Sequence, residues 1–192
     1  MLIELDRKNV AVFLGYRGMK PDEKTEKLID EIYEELLSVA DPKYIYKEYD
    51  FSKTEDEVCI NGVAFKSRKL SYHLKNSNSI CLFGATLGHG VDTVIRKYSL
   101  SDTVRAAIAQ SVGAAMVETL CNIGCEQIKK DLSCEIRPRY SPGYADLDLS
   151  SQKEFFSLLE MTKRLGVSLN ESCVMSPTKT VTAFVGIIRE DK

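Results

Sequence analysis

Ser101-Asp-Thr-Val-Arg-Ala-Ala-Ile-Ala-Gln-Ser-Val-Gly-Ala-Ala-Met-Val-Glu-Thr-Leu-Cys-Asn-Ile-Gly-Cys125 carries one charged residue, Glu118, between Ala106 and Cys125. No proline interrupts it, and its alanines and Gly113 let neighbouring elements approach closely. The stretch predicts a long, largely buried helix from Ser101 to about Leu132. Near the carboxyl end, Thr180–Ile188 alternates in strand fashion, with Val181, Ala183, Val185 and Ile187 on one face. A buried helix beside such a strand predicts an α+β fold: a single domain over residues 1–192, with a mixed or antiparallel sheet and flanking helices.

Working outward, Asp22 to Ala40 places Leu28, Ile29, Ile32, Tyr33, Leu36 and Leu37 on one helical stripe, opened by Pro21-Asp22 and stopped by Pro42. Tyr44–Phe51 reads as an aromatic strand. Val58–Ile60 and Val63–Phe65 flank Asn61-Gly62, the dipeptide of a two-residue hairpin. Ser67 caps a short helix through Leu74, and Ser79–Ala85 reads as a buried strand. Gly84-Ala-Thr-Leu-Gly-His-Gly90 leads into a helix bearing Val91, Val94, Ile95 and Tyr98. Ser133–Arg139 reads as extended and Ser141–Tyr144 as a turn. Ser151-Gln-Lys-Glu154 has the capping-box pattern of a helix ending near Gly166. A short strand at Val167–Leu169 precedes the last one.

The 192 residues are 44% hydrophobic and 28% charged, with a formal net charge of -2. That is globular composition, and it offers no whole-molecule attraction for nucleic acid or an anionic membrane. The charged start, Met1-Leu-Ile-Glu-Leu-Asp-Arg-Lys8, lacks the apolar run of a signal peptide. No uninterrupted apolar run approaches the roughly 18 residues of a bilayer span. A cytoplasmic protein is the expectation, with cysteines 59, 81, 121, 125, 134 and 173 as core thiols rather than disulfides.

Three constellations could carry chemistry. The glycines of 84–90 form either a tight structural turn or a phosphate cradle, although neither G-x-G-x-x-G nor a Walker lysine is present. Cys121 and Cys125 lie one helical turn apart, but His73 and His89 stand far from them, so core packing is favoured over a metal site. Glu118 in an apolar helix needs a partner, either an arginine of the chain or a cationic group of a ligand. Beyond it, Glu135-Ile-Arg-Pro-Arg-Tyr-Ser-Pro-Gly-Tyr-Ala-Asp146 contains Pro142 and Gly143 at the central positions of a type II turn. Arg139 offers a fork for a carboxylate, Ser141 and Gly143 an approachable backbone, and Tyr144 an aromatic face. They suit an amino-acid-like ligand with a planar base, or an ordinary surface turn.

Arg139-Tyr-Ser-Pro-Gly-Tyr144 resembles the R-x-x-x-G-Y signature of the S-adenosylmethionine-binding activation domain of cobalamin-dependent methionine synthase. Leu149-Ser, Gln152, Leu158-Leu159, Gly166-Val and Leu169-Asn-Glu-Ser-Cys-Val-Met-Ser-Pro177 extend the likeness from residue 137 to the end. Upstream, Leu14-Gly-Tyr-Arg-Gly18, Ala85-Thr-Leu-Gly88 and Val91-Asp92 resemble free-standing members of the group.

The resemblance implies a repair reaction. S-adenosylmethionine is presented above cobalamin that has stalled as cob(II)alamin, a flavodoxin-like donor supplies an electron, and methylcobalamin is restored. It implies that Arg139 holds the methionine carboxylate, that the backbone of Ser141, Pro142 and Gly143 meets the adenosyl part, and that Tyr144 lines the adenine or corrin. The family's helix glutamate aligns nearer Ala114, one turn before Glu118, which makes Glu118 a candidate contact. No catalytic base is implied, since cobalt is the nucleophile. The corrin-binding pattern D-x-H-x-x-G is absent, so cobalamin is expected to arrive on a partner. That partner is the cobalamin-binding domain of a methionine synthase without its own activation domain, or a related corrinoid protein. A non-catalytic S-adenosylmethionine-binding or docking subunit is the alternative.

Overall fold

A computed structural model describes residues 3–189; Met1 and Leu2 of the charged start, and residues 190–192, lie outside it. The long apolar stretch is a helix, α5 (Thr103–Leu132), started by Asp102, whose carboxylate accepts from the amides of Val104 and Arg105. Preceding it are α1 (Arg7–Phe13), α2 (Glu23–Val39), α3 (Arg68–His73) and α4 (His89–Ser101). Length and hydropathy alone would let α5 cross a bilayer. Here it lies beneath α1, α2 and α4 and against the sheet, as a core helix does.

That sheet has four antiparallel strands in the order β1 (Lys43–Tyr49), β5 (Ser79–Thr86), β9 (Thr180–Ile188) and β6 (Glu135–Ile136). Ala183, Val185 and Ile187 face α5 together with Cys81, Phe83 and Ala85. The opposite faces of β5 and β9 are covered as well: Ile80, Leu82 and Phe184 pack under α3, α6 (Gln152–Leu159) and α7 (Met161–Leu165). The expected α+β fold with an antiparallel sheet and a long helix is therefore present.

A separate meander of β2 (Phe51–Lys53), β3 (Glu57–Ile60) and β4 (Val63–Lys66) turns at Asn61 and Gly62, both at positive φ. The aromatic strand stops at Tyr49, and Phe51 leaves to pair with Ile60. A two-stranded ribbon joins β7 (Ser168–Leu169) to β8 (Met175–Ser176).

Two expectations need correction. Ser151 makes no side-chain cap; the preceding turn at Leu149–Ser151 is 3-10, and Asp148 caps it by accepting from the Ser150 amide at 2.7 Å. The helix also breaks at Glu160, whose φ is 52°. Leu159 and Met161 are both fully buried on the same core. Residues two apart in an unbroken helix would point about 200° apart, so the break brings both to the sheet.

The glycine stretch is a packing device. A Cβ on Gly90 would meet the Val39 carbonyl oxygen at 2.2 Å, and Gly88, at φ 79°, lies against Asp41. These contacts account for the glycines without a phosphate.

Candidate functional site

The site grows from the edge of the sheet. After Ile136 pairs with Ile187, the Arg137 amide donates to the Gly186 carbonyl at 2.7 Å. Pro138, which lacks an N–H, interrupts the ladder, and it resumes as Tyr140 exchanges amide bonds with Phe184 at 3.0 and 2.8 Å. Segment 135–140 is thereby fixed along β9, and Arg139 reaches α5.

There its Nη2 donates to Glu118 Oε2 at 2.5 Å, and its Nη1 donates to Asn122 Oδ1 at 2.8 Å and lies 3.7 Å from Cys125 Sγ. Positions 118, 122 and 125 form one stripe of α5. The partner of Glu118 is thus an arginine of the chain, the same Arg139 that sequence placed in the ligand turn. Glu118 is not buried: its side chain is 37% exposed, and that of Arg139 is 21% exposed.

Around this pair opens a cleft of about 580 Å³ lined by Glu118, Asn122 and Cys125 of α5, by the segment Ile136–Arg139, and by Ser141 and Val181. Its volume falls in the range of small-molecule sites. Burial lowers the Arg139 pKa, but its thiol neighbours and Glu118 outweigh this and raise it overall, so the guanidinium stays charged. Cys121 lies deeper, and burial pushes its thiol up to about 12, leaving it protonated and inert.

At the mouth, the Tyr144 amide donates to the Ser141 carbonyl at 3.1 Å, and Gly143 has φ 84°. This is the geometry expected around Pro142 and Gly143. Gly143 donates its amide to Leu147 at 2.9 Å, drawing the loop back on itself. Tyr144 stands 66% exposed, outside the cleft lining, with its ring edge-on to buried Tyr140 at 5.4 Å. The structure therefore unites Arg139, Glu118 and Ser141 in the cleft, while Pro142 and Gly143 shape its rim and Tyr144 projects from it.

Sequence reasoning missed Asn122 and Cys125 as cleft residues, although their spacing from Glu118 carries the signal. It also missed Asp146. That carboxylate accepts from Ser67 Oγ at 2.5 Å and from the Lys69 amide at 3.1 Å, clamping the turn's far end to α3.

Residues 134–190, the segment that builds this rim, match the family described as vitamin B12 dependent methionine synthase, activation domain. The chain also superposes on a crystal structure of the MetH reactivation domain bound to AdoHcy, with a TM-score of 0.69 at 14% identity. The fold is that of a methionine synthase reactivation domain. The superposition covers 96% of this chain and 76% of the reactivation domain, so the likeness in fold extends well upstream of the segment matched in sequence. No curated protein matches the chain in sequence. The resemblance read from Arg139–Tyr144 is thus supported twice, by the matched segment and by the reactivation-domain fold.

Proposed function

We propose that the cleft between α5 and the Arg139–Tyr144 turn binds S-adenosylmethionine and presents its methyl group to cobalamin carried by a partner. The observation that carries this reading is the position of Arg139. It is the first residue of the R-x-x-x-G-Y signature, and the fold holds it, charged, at the wall of a cleft large enough for the ligand.

The residues present suit that ligand. Arg139 offers a guanidinium to the methionine carboxylate, and Glu118, 2.5 Å from it, offers negative charge to the amine or sulfonium. The half-buried Ser141 and Pro142 and the exposed Gly143 give the adenosyl group a backbone to lie along, and exposed Tyr144 can close over it or meet the corrin. The chain's work is binding and alignment: Arg139, Glu118 and the backbone at 141–143 would hold the ligand so that a partner can reach its methyl group. Cobalamin carried by a partner, with one electron from a flavodoxin-like donor, would supply the nucleophile that accepts the methyl group, which would leave S-adenosylhomocysteine behind on this chain. Free thiols at all six cysteines are compatible with a cytoplasmic setting.

The test uses a cobalamin-dependent methionine synthase whose own chain stops short of an activation domain, poised as cob(II)alamin, with reductant and methyl-labelled S-adenosylmethionine. Label on cobalt only when this chain is added supports the reading. Binding without transfer points to the sensing or docking role instead, and an absence of both binding and transfer contradicts the proposal.

A further inference from the structure

A second recess shares Arg137 with the cleft and otherwise has walls of its own, from α3, Lys75 and Tyr140. It encloses about 590 Å³, and its walls include Arg68, Lys69, Tyr72, His73, Lys75 and Arg137. A chain of net charge -2 thus gathers four cations around one opening. An adjoining recess of about 520 Å³ shares Arg68, Tyr72 and Lys75 and adds Lys53 and one carboxylate, Glu55.

Little on the chain offsets this charge. Glu55 pairs with Arg68, and Asp146 is engaged with Ser67 and the Lys69 amide. Among the described residues, Lys69, Lys75 and Arg137 have no carboxylate within ion-pair distance. Arg137 is held in place by donating Nη2 to the Lys75 carbonyl at 2.5 Å, while its Nε is buried without an acceptor. Cations gathered without carboxylate partners favour an incoming anion. Beside them Tyr72 leaves an aromatic face 76% exposed, and His73 is fixed through its Nε2 to the Pro138 carbonyl at 2.8 Å.

We propose that this recess binds a small organic phosphate bearing an aromatic ring, with its phosphoryl oxygens on Lys69, Lys75 and Arg137 and its ring on Tyr72. A concave opening of this size suits a small anion better than the flat face of an acidic protein. Arg137 borders both openings, but Lys69, Tyr72 and Lys75 do not line the Arg139 cleft, so the lysine and tyrosine contacts do not depend on the S-adenosylmethionine reading.

The test is calorimetric titration of the full chain with uridine diphosphate, pyrophosphate and uridine, probes that avoid the adenosyl group. Both phosphates are expected to bind, more weakly as salt rises, and uridine is not. A Lys69→Gln, Lys75→Gln double variant is expected to weaken both phosphates by about tenfold or more. Tyr72→Ala is expected to weaken uridine diphosphate several-fold and to leave pyrophosphate unchanged. Phosphate binding that ignores the lysine substitutions, or none at millimolar concentration, overturns the proposal. So does equal weakening of both phosphates by Tyr72→Ala. Polyglutamate binding tighter than uridine diphosphate at the same lysines would make this a protein-docking face and overturn it too.

Discussion

Arg139 is held by Glu118 and Asn122 within a cleft that is open to water, and this arrangement separates its two possible roles. A part-exposed ion pair contributes about 1 kcal/mol or less to stability. A bidentate bond to a ligand carboxylate is worth about 1.5–3 kcal/mol. Arg139→Ala is therefore expected to lower the thermal midpoint slightly while weakening S-adenosylmethionine roughly 10- to 150-fold in a calorimetric titration. Arg139→Lys is expected to recover part of the affinity, because an ammonium cannot form the fork. A variant that unfolds, or that binds as wild type does, contradicts the assignment. At this scale the sequence was legible in residue type but not in pairing. Glu118 in an apolar helix announced a partner, yet the partner lies 21 residues away, and their meeting depends on segment 135–140 joining β9.

Among the elements, close approach of α2 and α4 is what the glycines permit. Gly90→Ala places a methyl 2.2 Å from the Val39 carbonyl oxygen, where only backbone can yield. Gly84→Ala meets Met161 Sδ at 2.5 Å, the end of a flexible side chain. Denaturant unfolding is expected to show a loss of about 1–3 kcal/mol for Gly90→Ala and a clearly smaller one for Gly84→Ala. Equal losses would contradict the packing account.

The turn's anchor is testable by pH. The bond from Ser67 Oγ, with the Lys69 amide, lowers the Asp146 pKa below the ordinary carboxylate value. A depressed acid stabilises the fold above its unfolded value, near pH 4, and that contribution fades as pH falls through the lower folded value. Asp146→Asn is thus expected to melt below wild type at neutral pH and to converge with it in strong acid. A gap that stays constant with pH contradicts the clamp. Element positions followed from periodicity wherever one signal dominated, as in α2 and the Asn61-Gly62 hairpin. They failed where signals competed: Asp148, Ser150 and Ser151 all suit a cap, and Asp148 prevails. The break at Glu160 follows from burying both Leu159 and Met161, a tertiary demand with no local mark.

For the whole molecule, two cores on opposite faces of one sheet leave the Arg139 cleft at the β6 edge, where a second protein can reach it. The alternation of β9 disclosed one covered face; the other, with Thr182 and Phe184, was hidden because those residues mix polar and apolar character. Strand order could not be read at all, since β9 inserts between β5 and β6 through contacts distant in sequence. The chain alone is expected to purify without cobalamin, checked by its visible absorption; a stoichiometric corrin spectrum would contradict delivery by a partner.

The central claim is that an S-adenosyl ligand occupies the cleft between α5 and the Arg139–Tyr144 turn. Titrating S-adenosylhomocysteine into the isotopically labelled chain and following its backbone amides by NMR tests this most directly. The account predicts saturable shifts concentrated at Glu118, Asn122, Arg139, Ser141, Gly143 and Tyr144. Saturable shifts confined to the Arg68–Lys75 recess, or no shifts at millimolar ligand, would contradict it.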